Sequence, residues 1–221
     1  MSKRHAFEVW VSARSEPAAE IMTGIQGEVK HMHLDADGLA ARGWTDLPKD
    51  WSPPSGELWA GGYLETRAIY DSPVFRKPGE EPRTVHLGVD VFAPACTTIF
   101  APVAGTVHSF QANNGELDYG PTIILQHDVA DGLTFWTLFG HLSERSLSGL
   151  ETGANIARGQ QIAELGTVDV NGGWSPHLHF QIILDIGEAR GDFPGVCKPS
   201  ERESWSENCP SPYEFLGIAL K

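Results

Sequence analysis

From residue 61 to about residue 190 the chain is a series of short apolar runs separated by Gly, Pro and Asn, with no long amphipathic helix between them. TVHLGVDVFAP, TIFAPVAGTVHSFQ, PTIILQHDV, LTFWTLFGHLS, QQIAELGTV and PHLHFQIIL each have the length and the β-branched and aromatic content of a strand or strand pair. Most of the 24 glycines fall between these runs, where turns are needed. The pattern predicts a mainly β fold, with an antiparallel sheet or sandwich core over residues 62–190.

The flanks are less regular. Residues 1–61 form an N-terminal extension, with a strand expected over AFEVWV (6–11) and a short helix over 15–27. LPKDWSPPSGELW reads as an irregular connection, and Trp44, Trp51 and Trp59 suggest packing against a larger body. Residues 191–221, with Pro194, Pro199, Pro210 and Pro212, are expected as a coil wrapped on the domain, with EFLGIAL docking against it.

A chain of 221 residues can bury a substantial core without disulfides or structural metals, so a metal site here is more readily functional than a folding staple. The formal charge of -13 disfavours nucleic acid and anionic lipid as partners. Cys96, Cys197 and Cys209 are too few for a disulfide scaffold; Cys197 and Cys209 either pair across a short loop or remain two free thiols. No apolar run reaches the length of a bilayer span. The start MSKRHAFEVWVSARSE is basic, but Glu8, Arg14 and Glu16 spoil it as a signal peptide. The expectation is a soluble cytoplasmic protein, with periplasmic or secreted locations left open.

Histidines and one aspartate carry the chemistry. His86 and Asp90 lie in HLGVD; on a straight strand they would share a face about 13 Å apart, too far for one ion. They can meet only if the chain bends, which Gly88 would permit; otherwise they are a surface pair flanking a turn. His177 and His179 in PHLHF point to one face of a strand while Leu178 and Phe180 enter a core; the alternative is a solvated strand face. His141, in LFGHLS, sits at a strand-to-turn junction, and nothing in its spacing brings it near the others. His31 and His33 form a second His-x-His with no evident partners and read as a solvated pair, while His127 reads as a structural strand-end histidine. The loop around Asn113, Asn114, Gly115 and Tyr119, and Trp174, either line a groove or pack as ordinary loops.

The order HxxxD, GHLS, HLH resembles the M23 metallopeptidases, the lysostaphin and LytM-like group, over about residues 84–183, with DVFAPACTTIFAPVAGTV, TIILQH and GQQIAELGTVDVNGG as similar surroundings. The resemblance implies a LytM-like β core of lipoyl-like, barrel-sandwich type. It also implies one zinc ion held by His86, Asp90 and His179, with His177 as catalytic base and His141 as the histidine that stabilises developing charge. The substrate would be a peptide or peptidoglycan-like amide. WAGGYLETRAIYDSPVF, GDFPG and CPSP resemble a narrower subgroup of M23 modules fused to aminotransferase and kinase-like proteins. Two other readings compete with this one. A two-His, one-carboxylate set also suits non-haem iron, which usually takes His-x-Asp/Glu. A lipoyl-like carrier needs a hairpin-tip lysine, and none lies between Lys77 and Lys198. The alternative function is a non-catalytic metal-binding or scaffold module on an M23-like fold.

Overall fold

The computed structural model describes residues 2–70, 72–129 and 132–221. The expected mainly β, antiparallel-rich architecture is what the chain forms. Its elements are α1 (Lys3–Ala13), β1 (Gly27–Met32), α2 (Ala36–Ala41), β2 (Trp59–Gly61), β3 (Val85–His86), β4 (Val89–Phe92), β5 (Thr98–Phe100), β6 (Gly105–Asn113), β7 (Gly120–Asp128), β8 (Thr134–Gly140), β9 (Asn155–Ile156), β10 (Gln161–Glu164), β11 (His177–Ile183), β12 (Val196–Cys197), α3 (Arg202–Asn208), α4 (Pro212–Leu216) and β13 (Ile218–Leu220). A nine-stranded sheet runs in the order β13-β1-β2-β4-β11-β8-β7-β6-β9, with two-stranded pairs β10-β5 and β12-β3 beside it. From β2 to β9 every pairing is antiparallel; β1 pairs in parallel with β2 and β13.

The sheet is built by period-two alternation. On β11, Leu178, Phe180 and Ile182 enter a core shared with Val89, Val91, Phe135 and Phe139. His177, His179 and Gln181 alternate with them, and all three are also buried. A strand buried on both faces reads as one continuous buried run, as β11 does here.

The N-terminal segment differs from the sequence expectation. Residues 6–11 lie in α1, not in a strand. Alternation would have buried Phe7, Val9 and Val11 together; instead Phe7 and Val11, one helical turn apart, are buried and Val9 is 48% exposed. Ser2 caps this helix by accepting from the His5 amide. Residues 15–27 contain no helix. Ile21, Met22 and Ile25 are buried there, and the backbone is spent on the body: Ala19 N–H donates to Pro102 O and the Ile21 carbonyl accepts from Phe100 N–H. The C-terminal residues are likewise more regular than the coil expected, forming β12, α3, α4 and β13, with Phe215 buried in the main core.

Trp51 meets Trp44, Trp59 and Phe92 edge-on, so the tryptophans anchor the irregular connection onto β4. All three cysteines are free thiols. No helix among the described residues is long and apolar enough to cross a membrane.

Candidate metal centre and its cleft

The strand through HLGVD breaks at Leu87 and Gly88, between β3 and β4. β3 pairs with β12, placing His86 opposite Val196, whereas β4 pairs with β11, placing Asp90 opposite His179. That change of partner turns His86 back, and its Nε2 stands 3.2 Å from Asp90 Oδ1 instead of the straight-strand separation. Gly88 is required by a close approach: a Cβ there would lie 2.6 Å from Phe180 O and 2.7 Å from His179 Nε2.

Three atoms able to bind a metal converge. His179 Nδ1 lies 3.2 Å from Asp90 Oδ1 and 2.9 Å from His86 Nε2. Asp90 Oδ1 is buried without a hydrogen-bond partner. An orphaned carboxylate oxygen facing two imidazole nitrogens is costly unless a cation completes the set. The donor types suit a divalent first-row metal.

The remaining ring nitrogens are held by acceptors, which fixes the tautomers. His86 Nδ1 donates to Gly62 O at 3.1 Å, and His179 Nε2 donates to Gln181 Oε1 at 2.9 Å. The Gln181 amide is oriented in turn, its nitrogen donating to Pro194 O and to Cys209 Sγ. Removing that acceptor should loosen the ligand. Gln181→Leu is expected to weaken metal affinity by roughly 10–100-fold without unfolding the protein. Competition with a chromophoric chelator measures it, and an unchanged affinity would remove Gln181 from the site.

Asp90 Oδ2 receives Arg67 Nη1 at 2.5 Å. Arg67 is itself buried, and reaches Glu65 Oε2 at 3.0 Å and the Tyr70 hydroxyl at 3.0 Å. Burial alone would push the Asp90 carboxyl up, but Arg67 and the surrounding histidines hold it well below the usual carboxylate range. Arg67, Glu65 and Gln181 were missed in sequence; only the period-two position of Gln181 after His179 carried a signal.

Opposite these groups stand His141 and His177, ring centroids 4.3 Å apart. His177 Nδ1 donates to Ser175 O at 2.6 Å and His141 Nδ1 to Asn171 O at 2.8 Å. Each Nε2 therefore keeps a free lone pair, and that of His177 lies 3.7 Å from Asp90 Oδ2. His141 adopts φ +62, a left-handed conformation unusual outside glycine and recurrent at functional sites. Its carbonyl and amide are pinned by Gly166 N–H and Tyr119 O. Burial, together with the neighbouring cationic form of His177, holds His141 well below the usual histidine range, and burial lowers His177 as well. Both are neutral imidazoles at neutral pH, able to accept a proton.

The histidines open on a cavity of about 280 Å³ whose lining includes Tyr70, Phe75, Tyr119, Trp174, Asp118 and Asp192. The loop before β7 and Trp174 thus line the groove. His127 is structural: its Nδ1 donates to Ala104 O, its Nε2 meets Thr137 Oγ1, and its ring stacks on Phe135. His31 and His33 do have a partner, Glu65, contrary to the sequence expectation.

Buried neutral histidines set the acid response of the metal-free fold. Burial lowers His86 to about 3 and His127 to about 4, against about 6.5 when unfolded. Between those values unfolding takes up protons, so stability falls as pH drops from about 6.5 toward 4, by up to about 1.4 kcal/mol per pH unit for each histidine. In chelator, the urea midpoint should be lower at pH 5 than at pH 7; equal midpoints would show that these rings protonate in place.

The family model described as Peptidase family M23 matches residues 84–189, the span that carries every residue of this centre except those on the flanking loops. Over that segment the chain is similar to peptidase family M23. Among solved structures it is similar to a zinc containing peptidase from Vibrio cholerae, at 20% identity and TM-score 0.38 over 62% of this chain and 35% of that one. It is also similar to the catalytic domain of the antimicrobial peptidase lysostaphin from Staphylococcus simulans, at 25% identity and TM-score 0.38 over 53% and 77% of the two chains. A variant of the catalytic domain of the prophage-encoded M23 protein EnpA from Enterococcus faecalis gives 20% identity and TM-score 0.41 over 69% and 97%. The chain thus spans about a third of the Vibrio cholerae peptidase. No curated protein matches it.

Proposed function

We propose that the protein is a zinc-dependent hydrolase of peptide or related amide bonds, with His86, Asp90 and His179 as the zinc ligands. The observation that carries this reading is the orphaned Asp90 Oδ1 between His86 Nε2 and His179 Nδ1, facing two further imidazoles across the cleft. Zinc in such a site lowers the pKa of a bound water to about 7 and polarises a scissile carbonyl.

His177 acts as general base. Ser175 O holds its Nδ1–H, so the proton arrives at Nε2 and can pass from there to the departing amine. His141, fixed by Asn171 O, keeps its Nε2 free beside His177; a proton taken up there from the attacking water would let it donate a hydrogen bond to oxygen on which charge develops. Asp90 offsets the ion's charge, and Arg67 keeps that carboxylate ionised and aimed. Tyr70, Phe75 and Trp174, in ring contact with one another through Tyr70, give the cleft an aromatic wall. The substrate class is a peptide or peptidoglycan-like amide, short enough for the reacting end to enter a cavity of about 280 Å³.

The test is release of new amino groups from muropeptides and short glycine-rich peptides by zinc-loaded protein. Cleavage abolished by chelator and restored by zinc supports the reading. Zinc binding without cleavage of any of them would favour a metal-binding scaffold instead.

A further inference from the structure

On the far side of Arg67 from the first site lies a second group of metal-binding side chains. His31, near the end of β1, and His33, just beyond it, are two residues apart and point to one face, with ring centroids 3.7 Å apart. Glu65 comes from the loop after β2, and one ligand atom from each of the three residues falls within 4.8 Å of the others. Tetrahedral nitrogen and oxygen ligands around zinc stand roughly 3.4 Å apart, so small rotamer adjustments close the set.

Two observations separate this group from a chance surface cluster. His31 Nε2 is buried and has no hydrogen-bond partner among the described residues, so a ring nitrogen is left unspent. Glu65 is held in place from both sides: Oε1 accepts from Leu34 N–H at 3.0 Å and Oε2 from Arg67 Nε at 3.0 Å. Its carboxylate still has free lone pairs on both oxygens. Gly38, at the start of α2, has no side chain and lets that helix lie directly against His33, fixing where the histidine sits. His33 is exposed, which leaves a coordination position open to water.

We infer that His31, His33 and Glu65 form a second site for a divalent first-row cation such as zinc, distinct from the His86, Asp90 and His179 centre. The site is two-His, one-carboxylate with water completing it, a donor set suited to zinc. Its consequence is architectural. An ion there ties the end of β1 to the loop 62–66, and Glu65 passes that constraint through Arg67 to Asp90. It also fixes Leu34, which lines the cleft. This inference does not depend on hydrolysis.

The test is a titration of the full, metal-stripped chain with cobalt(II), read by its visible absorption bands. Wild type should bind two equivalents, and His33→Gln, His31→Gln and His179→Ala one each. His179→Ala combined with His33→Gln should bind none. Circular dichroism melts in chelator control for folding; exposed His33 should be replaceable with an unchanged midpoint. One equivalent for wild type that His33→Gln leaves intact overturns the second site, as does two equivalents in both proteins. One equivalent lost in His33→Gln but kept in His179→Ala supports the second site and removes the first instead, so the two failures are distinguishable.

Discussion

Arg67→Leu is expected to destabilise the metal-free protein by about 3–5 kcal/mol, the largest stability effect of any single substitution around the centre. The guanidinium is buried and pairs with Asp90 Oδ2 at 2.5 Å and Glu65 Oε2 at 3.0 Å. Leucine fills much of the volume but leaves the Asp90 carboxylate buried without a countercharge, and removing one partner of a buried pair costs more than the pair contributes. On the proposed assignment, a metal ion on Asp90 Oδ1 would supply the missing positive charge from the other side. The loss measured by urea unfolding should therefore be large in chelator and smaller with saturating zinc. A loss below about 1 kcal/mol in chelator would mean that Arg67 does not hold the carboxylate charge.

His177→Ala should lower kcat by about 10²–10⁴-fold on any amide substrate the wild type cleaves, with metal content unchanged. Its Nε2 is 3.7 Å from Asp90 Oδ2 and outside the convergent ligand set, so its loss removes a proton acceptor and not a ligand. His141→Ala, lacking only a donor to developing charge, should fall by a comparable factor and retain metal as well. Loss of metal together with activity in His177→Ala would make His177 a ligand and overturn the assignment of roles.

Much of the sheet was legible because alternation and turn residues write themselves into the sequence. Leu178 and Phe180 on one face of β11, with His177 and His179 on the other, follow from a period of two. The HxxxD pair was legible only conditionally. Local geometry says that His86 and Asp90 cannot meet on a straight strand, and what bends the chain is β3 pairing with β12, more than a hundred residues away in sequence. Nothing local encodes that. The same holds for Arg67, whose significance rests on contacts with Asp90, Glu65 and Tyr70, and for His31 and His33, which looked solitary because Glu65 arrives from another loop. The N-terminal helix was misread because six residues, AFEVWV, fit a strand as well as a helix turn and a half long; tertiary packing of Phe7 against Phe135 and Phe215 selects the helix.

The most direct test of the central claim is the zinc content of wild type and His179→Ala, each purified without chelator and resupplied with zinc. The account predicts that the variant holds one zinc fewer per chain than wild type. Equal zinc in the two proteins would contradict it, because His179 Nδ1 would then not be a ligand and the convergence on Asp90 Oδ1 would have no ion to serve.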